Sequence, residues 1–218
     1  KDNSAFHVIK LSTMEVVAEY KGVISLDMFA KMLNQIGKEY GSCLMVVENV
    51  GVGIAVLEKL IDLDYPNLYY SVKGSTDYVD PMEARYSTNT VPGFTTSVKT
   101  RPLVVAKLEE YIRHNIIKLK SERTLHELET FIWFNGKPQA LKGYNDDLIM
   151  SLAIGCFVAD TAFEVNKREL AYSKAMLNSI SKETKYINMK IPGQKGYKKG
   201  QSVLESDDKN KNIYTGIP

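Results

Sequence analysis

Cysteine and histidine are both scarce in this chain. Cys43 and Cys156 are the two cysteines in 218 residues, each inside an apolar run and neither in a CxxC spacing. That excludes a disulfide framework and a cysteine-built zinc site, and it leaves both as small core residues. Of the three histidines, His7, His114 and His126, none has a second His or Cys at ligand spacing. A metal, if one is held, is held by oxygen, which favours Mg2+ or Mn2+ over Zn2+. Walker A spacing is missing, so this chain alone is not expected to hydrolyse ATP. There is no serine elbow and no cysteine with a placed histidine, so covalent catalysis has no support. No apolar run reaches membrane-spanning length and the first residues do not read as a signal peptide, which gives the expectation of a soluble, intracellular protein.

What is present is ordinary for a folded soluble chain: 44% hydrophobic and 25% charged residues, in a length sufficient for one substantial core with an appendage. The net charge of +2 is unevenly spread. Residues 165–218 carry eleven Lys and Arg against five acids, while the remainder is net negative. The division expected is a domain over 1–164 and a basic segment over 165–218. The basic segment contains a helix near 167–180 and a flexible end that either touches a polyanion or keeps itself solvated.

Along the chain, Ala5–Leu11 alternates as a strand, turns at Ser12-Thr13 and returns over Met14–Lys21 as a hairpin. Ser25 is placed to cap a helix over Leu26–Tyr40, ended by Gly41. Cys43–Val47 is a continuous apolar run, the kind of strand buried on both faces. A helix over Ile54–Leu63 and a short strand over Leu68–Val72 follow. Lys73–Ser97 is polar and too long for an ordinary connection, hence a candidate functional loop. Thr100 with Pro102 opens a helix to about Asn115. Ile116–Leu119 adds a short strand, Ser121 starts a helix through Phe131, and Asn135-Gly136 turns a second hairpin over Phe131–Leu141. An apolar helix then runs from the Asp146-Asp147 pair to Phe163. Helices alternating with strands after a hairpin indicate an α/β domain with a mixed sheet.

Three features carry chemistry. Glu48 closes the apolar run at a strand end, where open α/β sheets place ligand groups. The plainer reading is a carboxylate turned into water. Gly51-Val52-Gly53 invites dinucleotide binding, but Val56 stands where the third glycine belongs, so the glycines read better as a sharp backbone turn beside Glu48. The run Gly143-Tyr144-Asn145-Asp146-Asp147 heads a helix. Asn145 or Asp146 as N-cap accounts for one acid, whereas a second carboxylate entering a packed helix calls for a positive partner such as a metal ion.

Val47-Glu48-Asn49 with Gly51, and Gly143-Tyr144-Asn145-Asp146-Asp147-Leu148-Ile149-Met150-Ser151-Leu152, together resemble the C-terminal nuclease domain of tailed-phage large terminase subunits. That family has the RNase H-like fold, a mixed sheet flanked by helices. The opening Asp2-Asn3-Ser4-Ala5-Phe6-His7-Val8-Ile9 is similar to the segment after the family's first catalytic strand, and the likeness spans about residues 1–163. It implies a metal-dependent endonuclease that cuts concatemeric double-stranded DNA with Mg2+ or Mn2+ in a two-metal site. Glu48 and Asp147 match two catalytic carboxylates, Asp146 is an assisting neighbour, and Asp2 matches a further ligand. On the same resemblance Lys73, Lys99 and Arg101, which bracket the long polar loop, are expected to contact DNA phosphates, surface solubility being the plainer reading of each. The implied partners are double-stranded DNA, the terminase ATPase domain, the portal and the small terminase subunit, in the cytoplasm of an infected bacterium. The family's first catalytic Asp lies on a strand before the position of Asp2, where this chain has no residue. The expectation is therefore a sheet without its first central strand, weak metal occupancy and little cutting. Other RNase H-like nucleases of resolvase or transposase type, or a non-catalytic module binding DNA or the packaging motor, are the competing readings.

Overall fold

A computed structural model describes residues 3–84 and 86–161. Lys1, Asp2, Arg85 and everything from residue 162, including the expected helix at 167–180 and the basic segment, lie outside the described residues.

The hairpin read from alternation is β1 (Ser4–Lys10) against β2 (Glu15–Gly22), antiparallel from Ser4↔Gly22 to Lys10↔Glu15 with a register shift between Val8 and Ile9. α1 (Leu26–Glu39) follows; Ser25 has the extended backbone of an N-cap, yet its side chain makes no capping hydrogen bond. α2 (Gly53–Asp62) comes next. The polar region after Lys73 is not a bare loop. β4 (Tyr78–Val79), α3 (Pro81–Ala84) and β5 (Thr90–Pro92) lie within it, and β4 and β5 flank β3 (Tyr70–Val72) in a three-stranded antiparallel sheet. α4 (Thr100–Arg113) and α5 (Glu122–Glu129) precede a second hairpin, β6 (Phe131–Phe134) with β7 (Lys137–Ala140). Its turn residues Asn135 and Gly136 have φ of 49° and 72°, the left-handed pair that a two-residue hairpin turn requires. The last described helix, α6, covers residues 147–161.

Cys43–Val47 does not pair as a regular strand. It makes isolated parallel bridges, Met45 with Leu68 and, one residue beyond the run, Glu48 with Phe94. The Met45 N–H donates to Asn67 O at 2.9 Å, and Met45 O accepts from Tyr69 N–H at 2.9 Å. Val47 O accepts from Phe94 N–H at 2.8 Å, and the Asn49 N–H donates to Phe94 O at 2.9 Å. All four bonds fall on one edge of the segment, so alternation turns the backbone groups of Leu44, Val46 and Glu48 to the other edge. That other edge meets a cleft of about 510 Å3 whose far wall is β1, with Leu33 and Ile36 of α1 and Ile154 and Val158 of α6 also lining it. β1 pairs with β2 alone among the described residues, and β1 and residues 43–48 both line the cleft.

Two apolar clusters cover this strand region. One gathers Phe29, Leu33, Met45, Val56, Leu57, Leu60 and Leu68, mainly from α1 and α2. The other gathers Tyr69, Phe94, Val104, Leu108, Ile149, Leu152 and Cys156, mainly from α4 and α6. Neighbouring Leu68 and Tyr69 belong to different clusters, as adjacent side chains on a strand buried on both faces must. Antiparallel ladders, parallel bridges and helices in this arrangement make a mixed α/β fold. No described helix is long and apolar enough to cross a membrane.

Candidate functional site

Glu48 reaches the cleft because the chain turns away sharply behind it. Gly51 has φ of +59°, and a Cβ placed on Gly53 would lie 1.8 Å from the Glu48 carbonyl oxygen. Only glycine permits that approach, which is the turning role read for this pair. Asn49 Nδ2 donates to Pro92 O at 3.0 Å and fixes the following residue to β5. From the opposite side of the sequence, Leu148, Ile149 and Leu152 are fully buried and draw the start of α6 into the core, leaving Asp146 and Asp147 half-buried at its rim. Glu48, Asp146 and Asp147 all line the one cleft, together with Asn3, His7, Arg101 and Ser151.

The two adjacent aspartates have different partners. Asp146 pairs with Arg101, whose Nε donates to Pro138 O at 3.0 Å, so the guanidinium is held between α6 and β7. Asp146 occupies the N-cap position, its carbonyl accepting from Met150 N–H at 2.8 Å, but its carboxylate is spent on Arg101. Capping falls to Glu127 of α5. Its Oε2 accepts from Leu148 N–H at 2.9 Å and Ile149 N–H at 3.2 Å, and its Oε1 accepts from Lys21 of β2. Asp147 Oδ2 lies 3.4 Å from Asn3 Nδ2 and 3.6 Å from Lys21 Nζ.

Beneath the acids is a buried polar cluster. The His7 side chain is 1% exposed, with Nδ1 3.1 Å from Ser151 Oγ, Nε2 3.3 Å from Thr124 Oγ1 and Nε2 3.5 Å from Glu19 Oε2. Burial pushes its pKa down to about 4, against the opposing pull of Glu19. His7 is therefore neutral at pH 7 with both ring nitrogens engaged, which makes it a brace between β1, α5 and α6 rather than a ligand.

Lys21 and Glu127 escaped the sequence reading. Hydropathy misleads on α5, because Thr124 and Glu127 are buried while Leu125 is 47% exposed. Their i, i+3 spacing was the available signal. Of the proposed DNA contacts, Arg101 stands at the cleft. Lys73 is exposed, donates to Thr88 O at 3.0 Å and lines a separate shallow cleft with Asn49 and Thr95. Lys99 is exposed at the start of α4. Asp2 lies outside the described residues.

Among the described residues, no three His, Cys, Asp or Glu side chains converge closely enough to hold a metal ion unaided. The donor chemistry nevertheless fits Mg2+ or Mn2+. The cleft is lined by the carboxylates of Glu48, Asp146 and Asp147, the ring nitrogens of His7 are both engaged, and Mg2+ is commonly held by one or two carboxylates with water and substrate phosphate completing its shell.

No family model matches this chain, and no curated protein matches it in sequence. Solved structures do match, two of them of one protein. The large terminase nuclease from thermophilic phage G20c is 18% identical over 70% of this chain and 73% of its own, with a TM-score of 0.51. The same nuclease with bound magnesium is 20% identical over 71% of this chain and 74% of its own, with a TM-score of 0.53. This chain accordingly shares the mixed α/β fold of that large terminase nuclease.

Proposed function

We propose that this chain is the metal-dependent endonuclease module of a viral DNA-packaging terminase, acting on double-stranded DNA. The observation that supports the reading is that Glu48 and Asp147, distant in sequence, both line one cleft of a fold shared with a terminase nuclease. Glu48 and Asp147 would hold a divalent ion, and Asp2 enters as a further ligand on the resemblance alone. When bound, a pair of such ions supplies an activated water and stabilises the leaving oxygen of the cleaved phosphodiester. Asp146 orients Arg101, whose guanidinium at the cleft edge suits a phosphate oxygen. Lys73 and Lys99 are assigned to the DNA backbone farther out. On this reading the partners are the terminase ATPase domain, the portal and the small subunit.

Mn2+-dependent plasmid nicking by the wild-type chain, Glu48→Gln and Asp147→Ala tests it, with calorimetric Mn2+ titration alongside. Loss of nicking and of the strongest Mn2+ binding in both variants is the expected outcome; undiminished nicking by Asp147→Ala overturns the assignment. A second reading, a DNA- or motor-binding module without catalysis, is favoured by the absence of a three-ligand cluster among the described residues. It predicts Mn2+ isotherms identical in wild type and Asp147→Ala, with DNA binding retained.

A further inference from the structure

We propose that Glu127 is a positioning residue that holds Lys21 off Asp147 and thereby keeps the Asp147 carboxylate available to a divalent cation. The cation rests on the nuclease reading above; the placement of Lys21 does not. Lys21, Glu127 and Asp147 come from β2, α5 and α6, and they meet at one ammonium group. Lys21 Nζ is hydrogen-bonded to Glu127 Oε1 but stands 3.6 Å from Asp147 Oδ2, outside hydrogen-bond range. The ammonium is therefore committed to Glu127 and only shared with Asp147.

Glu127 is fit for that task because its carboxylate is held in place from both sides. Its side chain is 8% exposed, and both carboxylate oxygens are occupied. Two backbone N–H groups at the positive end of α6 donate to one oxygen and the Lys21 ammonium to the other, so the carboxylate is anchored between α6 and β2. A lysine bonded directly to Asp147 would have to be displaced by any incoming cation. One bonded to Glu127 and standing back makes no hydrogen bond to Asp147, while still lowering the repulsion between neighbouring acids. Outer groups of this kind commonly change metal affinity by ten- to a hundredfold when altered.

Glu127→Gln separates charge from shape, since the amide oxygen can still accept from Leu148 and Ile149. With the Glu127 charge gone, Lys21 has Asp147 as its nearest carboxylate. The expected crystal structure of Glu127→Gln has Lys21 Nζ in direct hydrogen-bond contact with Asp147. Mn2+ affinity by calorimetry is expected to fall about tenfold in that variant and to return nearly to the wild-type value in Glu127→Gln/Lys21→Met. Lys21→Met alone is expected to bind Mn2+ at least as tightly as wild type. A purely structural cap gives a different result, because removing Lys21 would then not restore affinity; that failure, or Lys21 remaining at its wild-type distance from Asp147 in the Glu127→Gln crystal, overturns the proposal. Should wild type and Asp147→Asn give the same Mn2+ isotherm, the nuclease reading falls, and the Lys21 to Asp147 distance in the Glu127→Gln crystal still decides where Glu127 sends Lys21.

Discussion

Gly53 and His7 show how single residues serve the cleft. Gly53 allows the chain to pass against the Glu48 carbonyl, 1.8 Å from where a Cβ would sit, and the obstacle is backbone that cannot rotate aside. Gly53→Ala is expected to cost about 1–3 kcal/mol in urea unfolding and to displace Glu48, seen as weakened Mn2+ binding. The reading of these glycines as a turn was available from the sequence because dinucleotide binding lacked its third glycine; the contact that makes Gly53 necessary was not. His7 gives a prediction in pH. Its folded-state pKa of about 4 lies below the ordinary 6.5, so the unfolded chain takes up a proton first. The stabilisation is fully present above about pH 6.5 and is lost as pH falls toward 4, a span worth roughly 3 kcal/mol. The groups facing the ring are Glu19 from β2, Thr124 with Arg123 beside Glu19 from α5, and Ser151 from α6. Stability measured by denaturant at pH 7 and pH 5 should drop more in wild type than in His7→Gln. Equal drops would show that His7 does not carry the effect.

At the scale of elements, period and turn chemistry were legible where local physics decides. The β1–β2 hairpin, α1, α2, α4 and the β6–β7 hairpin fall within a few residues of their sequence assignments, since apolar periodicity and an Asn-Gly turn act locally. A Cβ on Gly136 meets nothing within 4 Å, so Gly136→Ala isolates the left-handed backbone and should cost about 1 kcal/mol in chemical denaturation. α6 depends instead on its surroundings. Leu152 is fully buried, and Leu152→Ala should cost about 2–5 kcal/mol, read by the same measurement. The capping of α6 was not legible, because the oxygen that accepts its first N–H groups belongs to Glu127, on another helix. Nor was the substructure inside 73–97, where short strands are held by pairing with β3 rather than by their own propensity.

For the whole molecule, the proposed binding to DNA turns on which cations are already committed to acids. Arg101 is paired with Asp146, whereas Lys99 is exposed at the start of α4. If the proposed DNA contacts hold, binding should weaken linearly on a plot of log affinity against log salt. Lys99→Gln should shallow the slope by about one, and Arg101→Gln by less, because Asp146 offsets part of its charge. A slope unchanged in both variants would remove these residues from the interface. Residue order alone determined the class of fold and where along the chain the acids Glu48 and Asp146-Asp147 stand, since hydrophobic period and turn residues are properties of the chain itself. Tertiary structure alone decided which charges meet: that Asp146 goes to Arg101, that Lys21 is divided between Glu127 and Asp147, and that a cleft parts β1 from residues 43–48. The physical reason is range. Periodicity acts over a few residues, whereas the Lys21–Glu127 and Arg101–Asp146 ion pairs join positions 106 and 45 residues apart, and packing alone brings them together.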